Sequence, residues 1–570
     1  MKVLLISPCA FFDNGWAVNS LNCHLHVLYA FLRHHGIVVS VLDMALELGY
    51  SHNSASDVAR YRGLALALLR KQDFDIAAIS CWTSLQFLSS CVTAELCKEV
   101  NPDGLVVVGG YHPDAVPTDF AYPNSPFDVV VRGEGEQALL ELARSPATWP
   151  GRGLLTEATP RVVSTAPSSV DFPLCWDDYP YFTRQHLYSD YAHGTRIGVV
   201  FSRGCPFKCA FCVDGLRDLP SRLYSVDRAV QELETIVRLH RPDEIYIADP
   251  LFGVQKPWRR EFFQRLIDQK WKTQLYLNTR CDLIEDEDVE LMGRLPLRMY
   301  IGLESMSHTM LGVMNKATNT QRYLERFAAA SDALDRRGLI HYAGLIFNYP
   351  GETTATVHES ISNMEQMIRE KRRSSLGLSG HSYKLFPGSD VYDRRQYFVD
   401  RYGAWFPHPE WWKEAGANHF YLSTEVVPSR ELLLSNNLNL YAEMYRQLLD
   451  RYRDRFVEAL PEDLIDQSIF RSQWRQLRLR VDQGVCYPRS DGPPVFFDKN
   501  RRILIDPGTL EHALLSQIHN GVEPVDAVAT AGRERELSAS EIGEVEQSLL
   551  DLLRRGILVP DRTTTQAAEP

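Results

Sequence analysis

The sequence predicts an α/β protein in three parts: an N-terminal doubly wound sheet of Rossmann-like (flavodoxin-like) type, a central partial (β/α)6 TIM-type barrel, and a mostly helical C-terminal region with a small α+β, winged-helix-like unit. Three observations predict it. Five short apolar runs alternate with helical patterns over residues 1–150, strand-then-helix pairs follow from Arg196, and the alternation stops beyond Asp400. Strands that alternate with amphipathic helices make parallel sheets, which bind ligands in loops at the carboxyl ends of their strands.

In the first part, residues 1–150, the strand-like runs are Val3–Ser7, Val38–Leu42, Ile76–Ser80, Leu105–Gly109 and Val129–Val131. Leu21, Leu25, Leu28 and Leu32 share one face of the first helix. The loops after these strands are polar and glycine-rich, and supply the candidate binding residues Ser80, Thr83, Ser84, Gly109, Gly110, Tyr111, His112, Gly133, Glu134 and Gly135. Glycine pairs let a backbone approach a bulky ligand, and exposed amides with hydroxyls can hold phosphate. Taken alone, such loops also suit a nucleotide-binding or receiver-type domain, or a plain turn.

Residues 151–190 contain the Pro- and Ser-bearing stretch Thr-Ala-Pro-Ser-Ser-Val-Asp-Phe-Pro-Leu and read as a linker. In the barrel part, residues 191–400, strands are expected at Ile197–Ser202, Glu244–Ala248, Leu275–Asn278, Met299–Leu303, Tyr342–Phe347 and Leu378–Leu385, with helices near 226–240, 258–270, 319–337 and 354–371. Functional groups of such a barrel gather at the carboxyl ends of its strands. Those ends carry Asp249, then Asn278 with Arg280, then Glu304, then Pro350 in Tyr-Pro-Gly-Glu-Thr, then Tyr383 with Lys384. Each residue type also serves as an ordinary cap or turn.

Beyond Asp400 an aromatic group follows: Trp405, Phe406, Trp411, Trp412, Phe420 and Tyr421. It suits a substrate channel or, more commonly for large aromatics, a core. Residues 401–490 form a helical extension, with amphipathic patterns over 429–481. Residues 491–562 form the small unit: a hairpin turning at Lys499–Asn500, helices near 508–519 and 538–555, and a last strand at Ile557–Val559. Residues 563–570 read as a disordered tail.

At 570 residues the chain is long enough for several cores, and a net charge of −12 argues against a nucleic-acid partner. No apolar stretch reaches membrane-span length, and the N-terminus reads as a strand rather than a signal peptide, so a cytoplasmic location is expected. Of 11 cysteines, all but three are scattered and read as reduced and structural, Cys281 among them.

The exceptions are Cys205, Cys209 and Cys212 in Ser-Arg-Gly-Cys-Pro-Phe-Lys-Cys-Ala-Phe-Cys. Three thiolates at this spacing can hold three irons of a [4Fe-4S] cluster, and cluster thiolates usually come in fours, so one iron is left for a small molecule. A zinc knuckle would want a fourth Cys or His at short range, and no cysteine follows before Cys281.

The trio resembles that of the radical S-adenosylmethionine (SAM) family. Placed upstream of it, Gly-Gly-Tyr-His-Pro (109–113) and Arg-Gly-Glu-Gly-Glu (132–136) resemble the cobalamin-binding domain of cobalamin-dependent radical SAM enzymes. The resemblance covers residues 1 to about 400. It implies that SAM chelates the open iron, that Phe211 packs beside the adenine, and that Asp249, Asn278, Arg280, Glu304 and Pro350 contact SAM; by its place at the sixth strand end, Tyr383 or its neighbour Lys384 is expected to face the substrate, with Tyr383 the candidate catalytic residue. It also implies that the loops at 80–84, 109–113 and 132–136 hold cobalamin, with His112 at the corrin edge or nucleotide tail or merely ordering its loop. The string Asp-x-His-x-x-Gly does not occur, so cobalt is expected to have no histidine lower ligand. The implied activity is a methyltransferase acting on an unactivated carbon of a natural-product or peptide substrate, fed by an electron donor such as flavodoxin or ferredoxin. A cyclase or ring-contraction enzyme, polar methylation, and an iron–sulfur/cobalamin sensor remain alternatives.

Overall fold

The computed structural model describes residues 1–10, 23–48, 55–144, 161–167, 176–187, 189–190, 194–214, 220–369, 371, 375–413, 426–435, 437–438 and 440–452, with shorter stretches between 479 and 560. The chain forms two compact units, one of Met1–Pro8, Ser20–Asp43 and Ser54–Leu464, the other of Cys9–Asn19, Met44–Asn53 and Ile465–Pro570.

The first unit contains two parallel sheets. The N-terminal one is built from β1 (Lys2–Ser7), β2 (Val38–Asp43), β3 (Ile76–Ser80), β4 (Leu105–Gly109), β5 (Val129–Arg132) and β6 (Arg161–Ser164) in the order β2-β1-β3-β4-β5-β6. Val3–Ile6 and Val106–Val108 are buried on both faces, as continuous apolar runs in a parallel sheet require. The first helix, Cys23–His34, buries Leu25 and Leu32; Leu21 lies outside the described residues. β6 corrects the sequence expectation, because it falls inside the stretch read as linker. It is an edge strand with alternating half-buried and exposed residues, so it lacks the apolar run that marks its neighbours.

The second sheet has seven strands. In chain order they are β7 (Ser189–Asp190), β8 (Gly194–Val199), β11 (Glu244–Ile247), β12 (Gln274–Thr279), β13 (Leu297–Glu304), β14 (His341–Phe347) and β15 (Leu376–Ser382), while β9 (Ser202–Arg203) and β10 (Arg222–Leu223) form a separate ribbon. β8 and β11 to β15 pair in parallel and in sequence order, and β7 is an antiparallel edge. The six expected barrel strands are all present. The helices Val226–His240, Lys256–Asp268, Thr320–Arg336 and Thr354–Arg369 match their expected spans to within two residues. Ser225 and Asn319 cap two of them by accepting from Arg228 and Arg322 amides, the polar N-caps that helix starts favour.

Boundaries differ at the first and last barrel strands, the last running Leu376–Ser382 rather than reaching Leu385. The first barrel strand ends at Val199 rather than Ser202, because the Asp249 carboxylate captures the amides of Phe201 and Ser202 at 2.6 and 3.0 Å. The chain then enters the β9–β10 ribbon, which brackets the cysteine loop.

The second unit has its own core, with Val481, Phe496, Ile505, Leu514, Leu515, Ile518, Val545, Leu549 and Leu552 buried together. Strands Gly492–Asp498 and Ile503–Ile505 pair antiparallel, as the expected hairpin requires, and an extra strand, Cys486–Arg489, pairs with the first of them. Leu479–Val481 pairs with Leu558–Pro560. The tail 563–570 lies outside the described residues. No described helix is long and apolar enough to cross a membrane.

Candidate cofactor site

The site is built from the carboxyl ends of both sheets. In the N-terminal sheet the loops are tied into one rim. After β3, Thr83 caps the short helix Ser84–Gln86 and donates its own amide in return to Gln86 Oε1, while Gln86 Nε2 donates to the Pro8 carbonyl at 2.7 Å. Cys81 donates its amide to Gly109 at 2.8 Å. Gly110 sits at φ 121°, a region that only glycine occupies readily, and a Cβ there would strike the Cys81 carbonyl oxygen. Here the glycine pair lets one loop approach another. Gly133 accommodates Thr165 in the same manner, and Gly135 starts the helix Gly135–Arg144.

His112 is buried, with both ring nitrogens engaged. Its Nε2 donates to Asp119 at 3.1 Å, which leaves Nδ1 to accept from the Ser84 hydroxyl at 2.7 Å. Asp119 also accepts from the Trp412 indole and pairs with Lys413, both at 2.7 Å. Burial pushes the imidazole pKa down in spite of Asp119. Burial would raise Asp119, yet the bonds from His112, Lys413 and Trp412 outweigh it and hold the carboxyl below its usual range. The pair is therefore neutral imidazole and carboxylate, balanced by the lysine. Trp411 is likewise buried, donating to the Leu385 carbonyl at 2.8 Å. Phe420 and Tyr421 lie outside the described residues, so the aromatic group resolves here into core tryptophans and an exposed Trp405.

The cysteine loop is gripped at both flanks by this rim. Before the trio, Arg203 pairs with Glu136 and, at 3.2 Å, with Glu134; Arg222 of the same ribbon forks onto Glu134. After the trio, the Tyr111 hydroxyl donates to Asp214. Glu134 and Tyr111, expected to face a ligand, thus hold the two sheets' loops together.

Cys209 is buried, Cys205 and Cys212 are half-buried, and none of the nine described cysteines forms a disulfide. Among the described residues no three His, Cys, Asp or Glu side chains converge to hold a single metal ion. Arg280 points a guanidinium nitrogen at the Cys209 sulfur from 3.7 Å, a donor that suits a thiolate.

Around the loop, Glu304 has φ 71°, follows a register shift in the β13–β14 pairing, and pairs with the buried Lys316 at 2.9 Å. Gly302 makes room for that pair, since a Cβ there would lie 2.5 Å from the Glu304 carboxylate. Lys316 is 5.8 Å from the centre of the Phe211 ring. Asn278 donates to the Tyr246 hydroxyl at 2.7 Å. Burial pushes Asp249 up to about 7, and its Oδ1 faces the β8 end. Tyr383 and Tyr349 are buried in an apolar cluster with Ala210 of the cysteine loop, and their rings meet edge to face at 4.9 Å. Pro350 is buried beside them in sequence. Burial raises the Cys281 thiol to about 12, that of an inert core cysteine.

Several residues were not singled out from sequence: Arg203, Arg222, Glu136, Asp214, Lys316 and Trp82. Trp82 is 44% exposed on the loop after β3, 6.0 Å from Tyr111 and 5.0 Å from His24 by ring centre. A tryptophan in the polar loop after a parallel strand was its signal.

Fold and donor set together define a cofactor-dependent α/β barrel protein with a second cofactor domain. A B12-binding domain model matches residues 22–143 and a radical SAM superfamily model matches residues 199–363, together about half of the chain. The chain belongs to the cobalamin-dependent radical SAM family. It is 27% identical over 295 residues to an anaerobic magnesium-protoporphyrin IX monomethyl ester cyclase of Rubrivivax gelatinosus, covering 47% of this chain and 50% of that one. It is 26% identical over 372 residues to an uncharacterized methyltransferase of Pyrococcus horikoshii, covering 63% and 77%. The chain thus spans about half the length of the cyclase. Among solved structures, the radical SAM methyltransferase TsrM of Kitasatospora setae, with tryptophan substrate and a SAM analog bound, shares the fold at TM-score 0.56 and 15% identity, covering 80% of this chain and 92% of that one.

Proposed function

We propose that the protein is a cobalamin-dependent radical SAM methyltransferase that moves a methyl group from SAM, by way of cobalamin, to an unactivated carbon of a natural-product or peptide substrate. The observation that carries this reading is the double grip on the cysteine loop by Arg203 with Glu134 and Glu136, and by Tyr111 with Asp214. It sets the three cysteines against the loops expected to hold cobalamin. When bound, the cluster supplies one electron, SAM the radical and the methyl group, and cobalamin the methyl carrier.

Cys205, Cys209 and Cys212 hold the cluster. Asp249 holds the strand end that leads into their loop. The Glu304–Lys316 pair and Asn278 line the approach for SAM, and Trp82 with the loops at 80–84, 109–113 and 132–136 cradles the corrin. A flavodoxin or ferredoxin would supply the electron, and His112, whose ring nitrogens bond to Ser84 and Asp119, would order its loop.

Protein purified anaerobically with iron, sulfide and hydroxocobalamin should hold about four irons and one corrinoid, and should convert SAM to both 5′-deoxyadenosine and S-adenosylhomocysteine. Cys209→Ala should abolish the first product. Likeness to the magnesium-protoporphyrin cyclase favours one second reading, a non-methylating cyclisation, which would give 5′-deoxyadenosine without S-adenosylhomocysteine.

A further inference from the structure

Arg280 departs most from its expected role. The carboxyl end of β12 should present its fork to the SAM carboxylate, yet the fork is already occupied: Nε and Nη2 donate to Asp282 at 2.9 and 2.8 Å, and Nη2 also donates to the Lys316 carbonyl at 3.0 Å. The flat face of the guanidinium lies 3.8 Å from the centre of the Phe207 ring and 5.3 Å from that of Tyr323. Phe207 is one of the three residues between Cys205 and Cys209. The remaining nitrogen, Nη1, reaches the Cys209 sulfur at 3.7 Å. Arg280 is 4% exposed, so water does little to screen its charge.

A single side chain therefore holds the cysteine loop by its aromatic face and one ligand sulfur by its edge. We infer that Arg280 is a positioning residue that sets the reduction potential of the cluster, and that Asp282 sets how much of its charge the cluster feels. The potential of an iron–sulfur cluster follows its net charge, the hydrogen bonds to its sulfurs and its exposure. Reduction adds a negative charge, so a buried cation and an N–H donor at one thiolate favour the reduced state. Asp282 opposes this from the far side of the guanidinium. Its carboxylate is 31% exposed and masks Arg280 only in part. Lysine could not replace arginine here, because the site uses planar stacking, a bidentate fork and a third donor at once.

The inference rests on the cluster reading above and needs neither cobalamin nor a methyl acceptor for its test. The measurement is the midpoint potential of the reconstituted, SAM-free cluster, followed by electron paramagnetic resonance in a dye-mediated titration, with iron counted in each sample. Arg280→Gln should move the potential negative and Asp282→Asn should move it positive. Each shift should change the reduced-to-oxidised ratio at fixed potential by roughly tenfold, about 59 mV for one electron. A purely structural role would lower iron content without moving the potentials in opposite directions. Should Arg280→Gln fail to retain iron, Asp282→Asn still decides, because it keeps the arginine. A positive shift there supports the inference, and an unmoved or negative one overturns it. Wild-type protein that binds no iron would overturn the cluster reading along with this one, whereas full iron with unmoved potentials would overturn this one alone.

Discussion

Asp249 shows how one carboxylate can define the entrance to a site. Its Oδ1 takes the amides of Phe201 and Ser202, which stops β8 early, and burial raises its pKa to about 7. A carboxyl raised in the folded state contributes stability that is fully present below its unfolded pKa of about 4 and is lost as pH rises through the folded value near 7. Asp249→Asn keeps the acceptor and removes the titration. Chemical denaturation at pH 5 and 7.5 should show wild type losing about 2 kcal/mol more than the variant between the two conditions. At this scale the sequence singles out the three cysteines by their spacing and says much less about their neighbours. Three cysteines at fixed spacing leave few chemical options, whereas an arginine or glutamate at a strand end gives no hint whether it faces a ligand or a neighbouring loop. Glu134 turned to Arg203 and Arg222 from far along the chain, whereas Arg280 and His112 bond carboxylates a few residues away.

Among elements, the β9–β10 ribbon matters most, since it carries Arg203 and Arg222 to the helix start that holds Glu134 and Glu136. Arg203→Met would leave Glu136, 3% exposed, without its partner. Removing one member of a buried pair costs about 3 kcal/mol or more because the other charge stays buried. The expected result is lower stability in denaturant and loss of iron on desalting. A two-residue strand pair of mixed polarity carries no periodic signal, so it was invisible in the sequence, as was the polar edge strand β6. The long barrel helices and core strands, with many buried periodic positions, were legible almost to the residue.

Polar contacts between loops join the N-terminal sheet's domain to the cysteine loop. Because Tyr111–Asp214 and the Arg203 cluster join the cobalamin-type domain to the cysteine loop, occupation of one region should stabilise the other, and the effect must be reciprocal. Bound hydroxocobalamin should slow iron release to a chelator, and the assembled cluster should tighten cobalamin binding by the same factor. Arg203→Met should weaken both effects together. Chelator kinetics with and without corrinoid measure the first, and equilibrium dialysis measures the second. The division into two sheets was legible from the Pro- and Ser-bearing stretch at 151–190 that separates the two alternating regions. The staples between them were not, because they depend on how loops from distant parts of the chain meet.

Those staples also bear on how the protein fares under scarcity. A population of chains made where corrinoid is in short supply would be poor in iron too, and feeding it iron alone would not make it whole. Two nutrients would act on it as one.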